Sequence, residues 1–332
     1  MLDINKLPKK LNEINYFKKE PFGCTLYSYS LKNDTTIVVE LSDFEIDNDF
    51  CIDNKVVDML RILSPITSIK VDNVFEIKST KGRYKANLLD NQLRKPNMDF
   101  TKEFEVDFDR VLMASDFVDT KGTRVVLTGI NINSNGSINA TDSYIAFRYI
   151  NNDYKQQLGV GANLSIIVPK DFIGFVAKEF SGKVKFEFNE QTCQLRKDNV
   201  KYITRLINGT YPSLDNIYKA KNNSQELVFD YKDFVEKYEV AKQVGQNSDK
   251  INCLRFSNNK FVAIGENEFE SELENNSNIA YDFALSQDKF DKVFSKISSA
   301  NEKLKLNYTS SARPLFFEDN GNEFLLLPIR VD

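Results

Sequence analysis

The chain contains no histidine. That absence removes Ser-His-Asp and Cys-His nucleophile pairs, His-ligated zinc and the usual imidazole acid/base in one step. An enzyme built on this sequence has only carboxylates, Lys, Tyr or Cys to work with. The four cysteines, Cys24, Cys51, Cys193 and Cys253, lie far apart with no CxxC, which argues against a metal knuckle or a disulfide scaffold and for buried free thiols. No glycine-rich phosphate loop is present: Gly159-Val160-Gly161 is too short and lacks a following Lys or Ser/Thr. No cofactor is therefore expected. No apolar run approaches ~18 residues, and no basic segment followed by an apolar one opens the chain. The expected location is cytoplasmic, with no membrane partner. Neither charge sign dominates, with 44 Lys plus Arg against 48 Asp plus Glu and a net charge of -4. Whole-protein charge gives no support for nucleic-acid binding, but a local basic surface stays compatible with it.

What is present is an ordinary globular composition, 41% hydrophobic and 28% charged, over 332 residues. At ~100 to 200 residues per domain this length suggests two or three domains. A search for self-similarity finds a pattern of apolar, Asp, apolar, any, polar, apolar. It occurs at Leu2-Asp3-Ile4-Asn5-Lys6-Leu7, at Val106-Asp107-Phe108-Asp109-Arg110-Val111 and at Phe229-Asp230-Tyr231-Lys232-Asp233-Phe234. Each copy leads into a helical stripe: Leu7, Leu11 and Ile14; Val111, Leu112 and Phe117; Phe234, Val235, Tyr238 and Ala241. A second helical pattern follows each first one, headed by Ile52-Asp53, Val168-Pro169 and Leu285-Ser286, at nearly constant spacing. Asp53 and Ser286 suit N-caps, and Pro169 suits a first turn.

The stretches between helices alternate with period two, as strands do. Ile69-Lys70-Val71, Val184-Lys185-Phe186 and Leu304-Lys305-Leu306 each precede a partner run centred on Tyr84, Tyr202 and Phe324. Between the two helices of a repeat lies another strand pair, such as 124–130 and 137–149, linked by the hairpin signal Asn133-Ser134-Asn135-Gly136. Each repeat reads as helix, strand pair, helix, strand pair, and a helix layer covers one sheet face. The expected fold class is α+β, with three repeated two-layer domains at 1–100, 101–222 and 223–332.

Three motifs in this order resemble the beta sliding clamp of bacterial DNA polymerase III. They are Gly136-Ser137-Ile138-Asn139-Ala140-Thr141-Asp142, Thr204-Arg205-Leu206-Ile207-Asn208-Gly209-Thr210-Tyr211-Pro212 and the ending Leu326-Leu327-Pro328-Ile329-Arg330-Val331. The resemblance covers essentially the whole chain. One departure is specific: clamps commonly continue Ala-Thr-Asp with Gly-His-Arg-Leu, whereas Ser143-Tyr144-Ile145-Ala146 follows here. The amino-terminal domain matches least well, and a phage-, plasmid- or mollicute-type divergent clamp fits these departures.

The resemblance implies a non-catalytic processivity factor: a head-to-tail homodimeric ring, helices lining the hole and sheets outside, sliding on double-stranded DNA without reading its sequence. Replicative DNA polymerase and a clamp loader are the implied partners. The physical logic is that Lys and Arg attract phosphates without reading bases. Six windows chosen as helical, residues 2–20, 53–63, 106–124, 168–185, 229–242 and 285–305, together carry +4 and leave -8 for the rest. Candidate DNA-binding residues are Lys6, Lys9, Lys10, Lys18, Lys19, Arg124, Lys170, Lys178, Lys289 and Lys296. The resemblance also implies an apolar cleft between domains 2 and 3 for partner peptides. Its matching positions are Leu127, Thr141, Ser143, Tyr144, Ala146, Pro212, Ile217, Ala312, Pro314, Leu325, Leu327, Pro328, Ile329 and Arg330. Such a groove suits an extended peptide with hydrophobic anchors.

Two other classes compete. A carboxylate-dependent metal nuclease would draw on Asp43, Asp119 and Asp142, although Asp43 and Asp142 fall at corresponding strand ends of the repeat, where turn residues belong. A repeated α+β structural protein without DNA contact is the other, since a fold alone does not fix a function.

Overall fold

The computed structural model describes residues 3–90, 93, 95–133, 137–150, 164–245, 253–257, 259–265, 268–275, 277, 279–298 and 302–330. The first repeat supplies β1 (Ile14–Lys19), β2 (Cys24–Tyr29), β3 (Thr36–Leu41), β4 (Phe50–Asp53), α1 (Asn54–Leu63), β5 (Ile66–Val71), β6 (Val74–Ser79) and β7 (Gly82–Asn87). The second opens on β8 (Lys102–Asp107) and α2 (Phe108–Ala114). It continues through β9 (Gly129–Asn133), β10 (Ser137–Thr141), β11 (Ile145–Ile150), β12 (Ser165–Pro169), α3 (Lys170–Val176), β13 (Lys183–Phe188), β14 (Thr192–Lys197) and β15 (Val200–Arg205). After α4 (Asp215–Lys219), the third repeat opens on β16 (Gln225–Asp230) and α5 (Tyr231–Gly245). It then runs β17 (Cys253–Ser257), β18 (Lys260–Ile264), β19 (Glu268–Glu272), β20 (Asp282–Ser286), α6 (Gln287–Phe294), β21 (Lys303–Tyr308), β22 (Leu315–Asp319) and β23 (Asn322–Leu326).

Two compact units form, residues 1–108 with 171–208 and residues 109–170 with 209–332, so the middle repeat contributes to both. In the first unit an eight-stranded sheet is ordered β4-β1-β2-β3-β15-β14-β13-β8, and a smaller sheet β5-β6-β7. In the second unit the orders are β12-β9-β10-β11-β23-β22-β21-β16 and β19-β18-β17-β20. The two large sheets share one plan. Four strands that precede a second helix meet, across an antiparallel seam, three strands from the next repeat and that repeat's opening strand. At the seams Thr36 faces Ile203 and Ala146 faces Leu325.

The sequence pattern explains the packing. Helix α1 turns Val56, Val57, Leu60 and Leu63 inward, and the Asp53 carboxylate accepts the Val56 amide at 2.9 Å, satisfying one orphan donor of the first turn. In the third repeat an aromatic cluster fills the core: the Phe234 ring centroid lies within 6.2 Å of those of Phe229, Tyr238, Phe256, Phe261, Phe290 and Phe294. Each fully buried side chain of this kind contributes about 1.5–3 kcal/mol. The tight β1–β2 connection requires glycine: Gly23 sits at φ 81°, and a Cβ there would stand 2.3 Å from the Leu41 carbonyl oxygen.

Five expectations need correction. The helical stripe Leu7, Leu11, Ile14 is no helix: only a 3-10 turn, Ile4–Lys6, forms before the chain extends into β1. Pro8 forces Leu7 out of the helical region, to φ -84° and ψ 136°. Asn12 then holds the chain extended, its amide donating to Ser28 Oγ at 2.8 Å and its side-chain nitrogen to the Ser28 and Thr35 carbonyls at 3.1 Å. The strand pairs are really four strands before each second helix and three after it. The run expected as a strand from Arg124 begins instead as a 3-10 helix, Val125–Thr128. Ser286 occupies an N-cap position without a side-chain capping bond, and Pro169 ends β12 rather than entering α3. Strands β9 and β10 do pair antiparallel; the hairpin signal at 134–136, like Gly159-Val160-Gly161, lies outside the described residues.

Candidate functional site

The second unit holds an apolar cleft of about 680 Å³ along its β11–β23 seam. Its floor is a buried cluster of Ala146, Leu214, Tyr218, Phe316 and Leu325, with Leu327 packed against it. The β10–β11 turn shapes one wall. Asp142 Oδ1 accepts the amides of Tyr144 and Ile145, both at 2.9 Å. Thr141 Oγ1 donates to the Ile145 carbonyl at 2.7 Å and accepts the Ser143 amide at 3.0 Å. Ser143 is held at φ 79°, a left-handed conformation that glycine adopts without cost. A serine thus holds a backbone conformation more usual for glycine.

Tyr144 is 59% exposed. The Lys289 ammonium of α6 lies 5.4 Å from its ring centroid and bonds the Asp142 carboxylate. Beneath the floor, the Arg148 guanidinium stacks 3.9 Å from the Tyr218 ring centroid and pairs with Glu323 at 2.5 Å across the seam. The Tyr211 hydroxyl accepts the Thr141 amide at 3.0 Å. Burial pushes the Tyr211 and Tyr218 phenols up, so both stay neutral and serve as packing.

Of the positions proposed from sequence, Leu127, Thr141, Ser143, Ala146, Pro212, Ile217, Pro314, Leu325 and Leu327 line the cleft. Tyr144, Ala312, Pro328, Ile329 and Arg330 do not. The tail after β23 leaves the cleft wall: the Leu327 amide donates to the Tyr144 carbonyl at 2.9 Å, and the Ile329 amide to the Ala284 carbonyl of β20 at 2.8 Å. Ile329 therefore ties the tail down on a strand edge. The lining also includes Leu214, Asn216, Ala220, Asn223, Thr309, Arg313 and Phe316, which sequence reasoning missed. Arg124, assigned from sequence to DNA, lines the cleft as well. The first unit has a cavity of about 590 Å³ on its own seam, but Asp34, Lys95, Asn97, Gln191, Arg205 and Asn208 make it polar.

The basic candidates divide by their partners. Lys6 pairs with Asp43, Lys18 with Glu20 at 2.6 Å, Lys289 with Asp142, and Lys296 with Asp116 at 2.5 Å. Lys19 Nζ donates to the Asp47 carbonyl at 2.9 Å. Lys9, Lys10, Arg124, Lys170 and Lys178 make no ion pair among the described residues, although Lys10 lies 4.8 Å from the Phe175 ring centroid. Lys18 and Lys19 are on β1, not a helix, so the +4 of the six windows is not a property of helices alone. Exposed helical cations overlooked in the sequence are Lys55 on α1, Lys219 on α4 and Lys232 on α5.

The carboxylates offered to a metal are committed to structure. Asp43 pairs with Lys6, Asp142 organises the β10–β11 turn, and Asp119 accepts the amides of Lys121 at 2.8 Å and Thr123 at 3.1 Å. Those backbone donors, Lys121 first, hold the Asp119 carboxyl below the usual range. Among the described residues no three His, Cys, Asp or Glu side chains are grouped to hold a metal ion. The four thiols are buried and unpaired, and burial pushes Cys51 up to about 11 and Cys24 to about 12, far from a reactive thiolate. No helix among the described residues is long and apolar enough to cross a membrane.

Comparison with known proteins bears on the same region. Residues 102–213 match the model of the DNA polymerase III beta subunit, central domain. No curated protein sequence matches the chain. Among solved structures, the DNA polymerase III subunit beta from Pseudomonas aeruginosa superposes with a TM-score of 0.79 at 16% identity, covering 96% of this chain and 93% of that one. A sliding clamp from Bartonella birtlesii bound to griselimycin gives 0.76 at 16% identity over 96% and 92%. The Helicobacter pylori beta clamp bound to a DNA ligase peptide gives 0.75 at 14% identity over 96% and 92%. At these identities the structural likeness is one of fold.

Proposed function

We infer that this chain, a divergent bacterial DNA polymerase III beta sliding clamp in its central-domain sequence and its whole fold, is a non-catalytic processivity factor that holds polymerase on duplex DNA. The observation that carries this reading is the central-domain match over 102–213, a stretch that supplies Leu127, Thr141, Ala146 and Pro212 to the apolar cleft. The clamp works as a homodimer in the bacterial cytoplasm, is placed on DNA by an ATP-driven loader and remains there by topology. Phosphate attraction keeps it centred without sequence preference. Lys9, Lys10, Lys170 and Lys178 lead that attraction, because Lys6, Lys18, Lys289 and Lys296 share their charge with carboxylates. The cleft takes extended peptides from polymerase, loader and other DNA-handling proteins, their apolar side chains over Leu325 and Phe316 and their acidic groups toward Arg124 and Arg313. Support comes from the relatives solved with a ligase peptide and with griselimycin.

The test is retention after loading. A clamp loaded by its loader onto nicked circular DNA should co-migrate with the plasmid and be released when a single cut linearises it. Equal escape from circular and linear DNA would remove the encircling mechanism.

A further inference from the structure

Along β10 the face of the second unit's large sheet changes character. Thr141 borders the apolar cleft, whereas Asn139, two residues earlier, lines a separate polar pocket of about 360 Å³. Alternate residues of a strand share a face and each rises ~3.3 Å, so the two positions are about 6.6 Å apart. Pro212 and Leu214 line both cavities and form the wall between them.

The pocket is built on a hydrogen-bonded network of side chains from three strands. Asn131 is 3% exposed and Asn139 8%, so their amides need partners inside the protein. The Asn131 nitrogen donates to Ser165 Oγ at 2.6 Å and to the Ile166 carbonyl at 3.4 Å. A carbonyl can only accept, which fixes the orientation of the Asn131 amide. Its oxygen then accepts Asn133 Nδ2 at 2.7 Å and Asn139 Nδ2 at 3.3 Å. Both of those nitrogens also donate to Ser137 Oγ, at 3.0 and 3.2 Å. The donors of Asn133 and Asn139 are thereby used, while their Oδ1 atoms accept no bond among the described residues. Neither oxygen is sealed inside the protein, so both acceptors open on the pocket that their residues line. Asp215 supplies a carboxylate at the same pocket, the one ionised side chain of its described lining. Its contact with Arg148 is long, at 3.4 Å, whereas Arg148 pairs with Glu323 at 2.5 Å. The pocket therefore offers acceptors and negative charge, opposite in character to the Arg124 and Arg313 side chains that line the cleft.

We propose that this asparagine pocket is a second docking subsite, which takes a basic side chain, arginine above all, from a peptide anchored in the neighbouring apolar cleft. A guanidinium has five N–H donors and no acceptor, so it can satisfy Asn133 Oδ1, Asn139 Oδ1 and the Asp215 carboxylate together. Lysine brings the same charge with fewer donors and binds less tightly. An acidic side chain meets only acceptors, and an apolar one leaves them without partners. Two or three extended residues span the distance from the Thr141 wall to Asn139. A docking peptide is thus read twice, by its apolar anchor and by a basic residue a short step away.

The proposal rests on the peptide-cleft reading, and the experiment separates the two. A labelled reference peptide with an acidic group and a hydrophobic anchor is titrated by fluorescence anisotropy, beside two versions carrying arginine three residues before or three residues after the anchor. The full chain is compared with a variant combining Asn133→Ala and Asp215→Asn. Neither residue lines the cleft, and Asn131 Oδ1 keeps Asn139 as a partner in the variant. One arginine peptide should bind the wild type about 10-fold more tightly than the reference. The variant should lose that gain and bind the reference peptide as the wild type does. If neither arginine peptide exceeds the reference, the subsite is wrong and the cleft stands. A gain that survives in the variant would place the arginine elsewhere and overturn the assignment to this pocket. A reference peptide that fails to bind the wild type would take down the cleft reading itself.

Discussion

Ile217 and Leu325 line the same cleft, yet Ile217 is 41% exposed and Leu325 only 5%. The first is available to a ligand, whereas the second is committed to the floor. Ile217→Ala should leave stability nearly unchanged, because little apolar surface is lost from the folded chain. It should weaken an acidic, hydrophobic-anchored peptide roughly 5- to 30-fold, about 1–2 kcal/mol for methylenes the peptide would cover, read by fluorescence anisotropy. Unchanged peptide affinity would remove Ile217 from the binding surface. Resemblance to the clamp motifs, not residue type, pointed to Thr141, Ala146 and Leu325, which line the cleft. Leu214 and Phe316 were not legible, because a buried apolar side chain looks the same in sequence whether it supports a core or floors a cleft. Ser143 hid its role for another reason. Its backbone is left-handed, but nothing in a serine announces that.

Of the two residues expected as N-caps, Asp53 and Ser286, only Asp53 makes the capping bond. Asp53 accepts the Val56 amide at 2.9 Å at the start of α1, whereas Ser286 before α6 makes no such bond. Asp53→Ala should cost about 1 kcal/mol in urea denaturation. Ser286→Ala should stay within about 0.5 kcal/mol; equal losses would mean that capping does not distinguish the two starts. The same scale explains what the repeat revealed and what it concealed. Strands were readable because alternation survives burial on one face, as in Lys303–Tyr308. The first stripe, Leu7, Leu11 and Ile14, mimicked a helix because all three side chains are buried, at 6%, 5% and 8%, for a different reason. They pack from an extended segment that Pro8 and Asn12 hold open. Periodicity reports burial, and local hydrogen bonding decides which backbone delivers it.

Across the whole molecule, the missing histidines set the shape of the pH response. Several carboxyls are held below their usual values in the fold: Glu76 by the Arg83 guanidinium, Glu40 by a bond from Lys201, and Asp119 by backbone amides. In the unfolded chain these groups take up protons first as pH falls, so the stability they confer is full above about 4.5 and drains away as pH drops through their lower folded values. Buried thiols act at the other end. Cys51 and Cys24 ionise near 9.0 when unfolded but are pushed up to about 11 and about 12 by burial. Their contribution is complete below 9.0 and is lost as pH rises from there through those values. Buried Tyr202 and Tyr238 act in the same direction from 10.0 upward. Between these limbs a typical protein bends where its histidines titrate, near 6.5. This chain has none. The thermal midpoint should hold flat to within about 2 °C from about pH 5.5 to 8.5 and fall on both sides. Differential scanning fluorimetry across that range checks it, and a step centred near pH 6.5 would show that a carboxyl or thiol has been carried into the neutral range by contacts other than these.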